Sequence, residues 1–95
     1  MFIKENKMYE KGKYVTGEII AGTVIVDGAI LIPEVVPHDA IKHCFIPGTI
    51  TGAGYFTQTA EGVQVFGESK GLGVGVGEAD EIWVGRALAH PKYHL

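Results

Sequence analysis

The sequence predicts one β-rich α+β domain: a small antiparallel sheet, sandwich or partly open barrel of about six or seven short strands with a short C-terminal helix. Val and Ile far outnumber Leu, and these β-branched side chains pack well on a pleated sheet. The 14 glycines are about twice the average share and recur between short apolar runs, where turns are needed. A length of 95 residues suits a single domain, so residues 1–95 are expected to fold as one unit.

Residues 23–32 carry the clearest local pattern. Asp27-Gly28 lies between two apolar runs and predicts a hairpin with a two-residue turn. Both faces of that hairpin are apolar, whereas a half-exposed strand alternates apolar and polar residues. Because a chain of this length has few residues with which to cover both faces, we expect its own core to cover one face and a second subunit to cover the other. The predicted homo-oligomer interface comprises Val24, Ile25, Ile30 and Ile32.

One further strand and a second hairpin are predicted around this segment. Residues 14–20 form an apolar run upstream, interrupted by a glycine. Residues 55–59 and 63–66 flank the loop 60–62, in which Gly62 occupies the left-handed position. Threonines and glutamines dilute the apolar content here, so this second hairpin is expected at the surface.

The segment between the two hairpins predicts irregular structure. Pro33 and Pro37 exclude a central strand between them, and residues 37–43 favour a short helical turn. A brief strand over 43–46 and a turn at Pro47-Gly48 should follow. This connection leads into the second hairpin.

The C-terminal third of the sequence predicts secondary structure less clearly. Glycine occupies every second position of residues 71–77, which favours an extended strand with one bare face; a flexible loop and a backbone surface for a ligand are the alternatives. Residues 78–89 fit a helix or a strand, and a helix is favoured because acids begin the segment and bases end it. The acid pair Asp80 and Glu81 is interpreted as a solvated helix start. Residues 1–12 are predicted to form a loosely ordered end.

Charge and cysteine content restrict the partners. The formal net charge is −3, and residues 14–85 contain nine acidic residues but only two lysines, which disfavours binding to nucleic acid. The single cysteine excludes an intrachain disulfide and fits a reducing cytoplasm. No apolar run is long enough for a signal core or a membrane span, so no membrane partner is expected.

Four residues stand out as candidate ligand-binding residues: His38, Asp39, His43 and Tyr55. His38, Asp39 and His43 lie close to Cys44 in the sequence. Histidine, aspartate and cysteine are all residue types that bind metal ions. Adjacent His and Cys residues rarely bind one ion together, and no second ligand group has a recognised spacing. We therefore predict neither a metal site nor a cofactor.

No constellation in the sequence predicts a particular catalytic chemistry. Cys44 follows His43 directly, and on a strand the two side chains would point to opposite faces. The leading hypothesis is a non-enzymatic cytoplasmic homo-oligomer that binds a small molecule or a protein partner. The alternative is a small enzyme with a site at a subunit interface, in which His38, Asp39 and His43 serve as acid, base or metal ligand.

Overall fold

A four-stranded antiparallel sheet forms the centre of the computed structural model, which describes residues 10–90 and 93–94. Its strands are β1 (Lys11–Ala21), β2 (Val24–Ile32), β3 (Gly52–Thr59) and β4 (Gly62–Phe66), in the order β2-β1-β3-β4. The described residues also form a two-stranded ribbon, a 3-10 helix and an α-helix. The ribbon consists of β5 (Glu68–Ser69) and β6 (Val74–Gly75), the 3-10 helix spans His38–Cys44 and α1 spans Asp80–Leu88. The predicted β-rich α+β class with a C-terminal helix is confirmed. No helix in the described ranges has the length and apolar content needed to cross a bilayer.

The first hairpin turns at residues other than those predicted. β1 and β2 pair from Ala21 opposite Val24 to Lys13 opposite Ile32, so the chain reverses at Gly22-Thr23. Gly22 has a φ of 67°, the left-handed conformation that this tight turn requires.

The prediction of a turn at Asp27-Gly28 is therefore wrong. Asp27 and Gly28 lie within β2, opposite Glu18 and Gly17. A turn there would pair only a few residues on each side, whereas the observed register pairs all 9 residues of β2 with β1. The longer ladder outweighs the local preference of Asp-Gly.

Each face of the sheet is covered by a different part of the same chain. One face packs against the 3-10 helix and the residue that follows it, and its buried core comprises Val15, Ile19, Ile30, Ile32, Ile41, Phe45 and Ala53. The other face packs under α1, and its buried core comprises Tyr14, Ala29, Leu31, Phe56, Val84 and Ala87. The second half of β2 is thus covered on both sides without a second subunit.

The remaining connections match the predictions in part. β3 and β4 form the second hairpin, but Gly62 pairs with Thr59, which shortens the loop to Ala60-Glu61. The helical turn is confirmed, and so is the turn at Pro47-Gly48, where the Thr49 amide donates to the Ile46 carbonyl at 3.1 Å.

Two smaller predictions are wrong, and a third is wrong for its last two residues. The strand over 43–46 is absent, since residues 43–44 end the 3-10 helix and Phe45 makes one isolated bridge to Ile19. The strand over 71–77 is reduced to β6, because residues 71–73 turn so that β6 can pair with β5. Of the predicted loose end, residues 1–9 lie outside the described residues, while Lys11 and Gly12 pair with β3 inside β1.

The carboxylate of Asp80 joins α1 to the sheet. It accepts hydrogen bonds from the Tyr14 hydroxyl at 2.6 Å, the Thr16 hydroxyl at 3.2 Å and the Gly77 amide at 2.7 Å. Asp80 is only 2% exposed, so its interpretation as part of a solvated helix start is wrong, although Glu81 is exposed. A hydrogen-bonded carboxylate can be buried because its partners replace the lost water.

Two features of the sheet accommodate this carboxylate. Gly52 lies beside it on β3, and a Cβ atom at this position would collide with the Asp80 carboxylate. Burial and the hydrogen bond to Asp80 raise the pKa of Tyr14 far above its usual value, so the phenol remains a donor at physiological pH.

Asp80→Asn should lower the free energy of unfolding by about 3 kcal/mol, because the new amide nitrogen is a donor that faces donors in a buried site. Chemical denaturation measured by circular dichroism tests this. The neighbouring exposed variant Glu81→Gln serves as the control and should change stability by less than about 0.5 kcal/mol. Equal effects of the two substitutions would contradict the role given to the Asp80 carboxylate.

Candidate functional site

The 3-10 helix carries three of the four predicted site residues and separates two clefts. A 3-10 helix has about three residues per turn, so side chains three positions apart lie on one side. His38 and Ile41 accordingly share the buried side, whereas Asp39 and His43 are exposed. The helix therefore directs His38 and His43 to different surroundings.

The first cleft, here called the His38 cleft, has a volume of about 550 Å³. It lies between β1, β3, the start of the 3-10 helix and the segment that contains β5. The side chains that give it chemical character are those of Lys13, His38, Asp39, Tyr55, Glu68, Ser69 and Lys70.

The second cleft, here called the His43 cleft, has a volume of about 670 Å³. Its lining is mostly apolar, with Asp39, Lys42 and His43 as its polar side chains. The apolar lining comprises Ile20, Phe45, Ile46, Pro47 and Ile50. The structure thus brings His38, Asp39 and Tyr55 to one cleft and places His43 in the other, with Asp39 lining both.

The His38 ring is fixed in position and in tautomer. Its Nε2 lies 2.8 Å from the Gly54 carbonyl oxygen, which can only accept, so Nε2 carries the hydrogen. The ring meets Tyr55 edge to face at a centroid distance of 5.6 Å. Burial lowers the pKa of His38; the hydrogen bond to Gly54 raises this pKa by a smaller amount, and the still smaller effects of the Lys13 ammonium and the Asp39 carboxylate lower and raise it, respectively. The ring is therefore neutral at pH 7, with a lone pair on Nδ1.

Tyr55 forms the aromatic centre of the His38 cleft. Its ring stacks on Phe66 of the neighbouring strand, with centroids 5.9 Å apart. The Lys13 ammonium lies 5.8 Å from the Tyr55 ring centroid and donates to the Val36 carbonyl at 2.9 Å. Lys13 is directly opposite Tyr55 in the sheet, so the strand register sets this contact.

His43 has a different partner. Its Nε2 lies 3.7 Å from the Cys44 sulfur, a contact that a strand would not allow but the end of a 3-10 helix does. Cys44 is a half-buried free thiol. Within the described ranges, no group of three or more His, Cys, Asp or Glu side chains is arranged to hold a metal ion.

Sequence reasoning missed Lys13, Ser69 and Lys70 as cleft residues. Lys13 belongs to β1 and reaches the cleft only through its pairing with β3, while the other two come from the segment around β5. Ser69 is 3% exposed, and its hydroxyl oxygen accepts the Leu72 amide at 3.2 Å. No local pattern marks these residues, because their proximity depends on the sheet register and on the turn at 71–73.

The His38 cleft combines a fixed imidazole acceptor, ammonium donors, a carboxylate and an aromatic ring, which is the kind of lining that holds a small polar molecule. Comparison of the chain with protein-family models, with curated proteins and with solved structures finds no match. Any functional assignment therefore depends on the geometry of the chain itself.

The lowered pKa of His38 predicts a pH dependence of stability. The unfolded chain, with a histidine pKa near 6.5, binds a proton more readily than the folded chain, so the free energy of unfolding should fall as pH drops below about 6.5. Urea unfolding at pH 7.5 and pH 5.5 measures this difference. His38→Gln should reduce the acid-induced loss, whereas the exposed control His43→Gln should retain it. An identical loss in the wild type and in His38→Gln would refute the link.

Proposed function

We propose that the protein is a non-enzymatic, homo-oligomeric interaction module whose copies associate through the outer edge of β2. The observation that supports this is an edge strand with an exposed apolar end. In the described part of the chain, nothing pairs with the outer edge of β2 before the bridge between Leu31 and His94. Ile20 is 46% exposed, and Val24 and Ile25 are each 56% exposed.

Backbone groups at this edge are available for pairing. Ala21 and Val24 flank a two-residue turn, so both point their hydrogen-bonding groups toward each other. Alternation along β2 then directs the amide and carbonyl groups of Ile25 and Asp27 away from β1. The opposite edge of β1 supports this assignment, since the Thr16 and Glu18 carbonyls accept the Thr51 and Ile46 amides, respectively.

A second copy of the same edge is the partner that fits best. An antiparallel two-fold pairing centred on Ile25 places the two Ile25 residues opposite each other and Asp27 opposite Thr23. This register avoids a direct Asp27–Asp27 pair, which would be destabilising. Because Ile20 and Ile25 are themselves opposite each other in the hairpin, each copy contributes a continuous apolar surface.

The predicted interface is thereby redefined. Val24 and Ile25 remain in it, and Ile20 joins them, whereas Ile30 and Ile32 are 8% and 1% exposed and lie within the core of their own chain. No observed contact favours the alternative enzyme, because His38 and His43 line different clefts. A cytoplasmic location is part of the proposal and is supported by the free thiol of the single cysteine.

Native mass spectrometry of the untagged protein should show an oligomer, and Ile25→Asp should convert it to a folded monomer, since Ile25 is exposed and the new charge would face its counterpart. Ile82→Asp is the matched control, because Ile82 is 58% exposed but lies on α1, and this variant should assemble as the wild type does. Ile30→Asp should instead unfold the chain. A monomeric wild type at micromolar concentration, or an oligomeric Ile25→Asp variant, would overturn the proposal.

A further inference from the structure

We propose that the His38 cleft binds a small, neutral, planar molecule that carries an N–H group next to a carbonyl group, such as a pyrimidine lactam. This inference concerns a site distant in sequence from the β2 edge and does not depend on self-association. The volume of the His38 cleft, about 550 Å³, lies within the range of small-molecule sites.

The cleft offers one oriented acceptor. The Gly54 carbonyl occupies Nε2 of His38, which leaves Nδ1 as the acceptor of the ring. Among the described residues, no buried side-chain nitrogen or oxygen lacks a hydrogen-bond partner, and none of them donates to Nδ1. His38 is 6% exposed and lines the cleft, and Nδ1 is the ring nitrogen left to accept an N–H group of a ligand there.

The cleft also offers a positively charged donor. The Lys13 ammonium uses one hydrogen for the Val36 carbonyl and keeps two for other acceptors. Both the ammonium and the His38 ring lie within 6 Å of the Tyr55 ring centroid, at 5.8 and 5.6 Å. A ligand at the Tyr55 ring is thus within reach of an acceptor and of a donor, the two partners that the N–H and carbonyl groups of a cyclic amide require.

Charge selects a neutral ligand. The two lysines of the lining, Lys13 and Lys70, oppose a cation, and the two acids, Asp39 and Glu68, oppose an anion. A carboxylate group would in addition bring no donor for Nδ1. The flat Tyr55 ring, which stacks on Phe66 and meets the His38 ring edge to face, favours a planar molecule over a branched one.

Two-dimensional amide NMR with uracil as the probe tests the proposal on the wild-type protein. Uracil should shift the amide signals of the cleft, in particular those of residues 38–39, 54–55 and 67–71. The matched probe 1,3-dimethyluracil keeps the ring and carbonyl groups but lacks N–H donors, and it should bind at least about tenfold more weakly, the loss expected for one hydrogen bond to an otherwise unsatisfied acceptor.

Two variants assign the contacts. Lys13→Met keeps the aliphatic stem and should weaken uracil binding by about tenfold, while His43→Ala, in the other cleft, should leave it unchanged. The wild-type comparison remains decisive even where a variant fails to fold. Equal binding of the two probes, shifts confined to the His43 cleft, or no uracil-induced shifts at the cleft amides would each overturn the proposal.

Discussion

The position of α1 on the sheet depends on one buried carboxylate. Asp80 gathers donors from β1 and from the segment before the helix, and these donors are more than sixty residues apart in sequence from Tyr14 to Gly77. A buried carboxylate is tolerated only where hydrogen bonds replace its hydration. The start of α1 must therefore lie where Asp80 can accept from Tyr14 and Thr16 at the same time. Gly52 completes this arrangement by leaving the space that the carboxylate fills.

This constraint also determines which surfaces are free. With α1 fixed on one face and the 3-10 helix on the other, the second half of β2 is fully enclosed and contributes Ile30, Leu31 and Ile32 to the core. Neither α1 nor the 3-10 helix buries Ile25 at the turn end of the hairpin, and this side chain remains exposed. The exposed apolar residues of the first hairpin, Ile20, Val24 and Ile25, are therefore confined to its turn end instead of extending over a whole face.

The predictions that succeeded concern segments whose pattern is local. The turn at Pro47-Gly48, the second hairpin and the helix over 80–88 follow from short-range preferences that no long-range contact opposes. The turn at Asp27-Gly28 failed because a longer strand pairing was available.

The candidate site was predicted only in part, for a related reason. His38, Asp39 and His43 are neighbours in sequence, but the rotation of a 3-10 helix separates His38 from His43. Lys13 and Asp80 acquire their roles from pairing and packing, which composition and spacing do not reveal.

The register of the first hairpin divides it into two mechanically different parts. At the Gly17–Gly28 pair no side chains cross the ladder, and at the next pair two carboxylates, those of Glu18 and Asp27, face each other. Both features weaken cross-strand cohesion at one place. Beyond it, Ile19 is still buried and bridges to Phe45, so only the turn and its flanking residues 20–25 are held by few buried contacts and can open locally while the inner part stays closed with the core. The strand end that we propose to pair between copies thus has few buried contacts of its own, and association would order it.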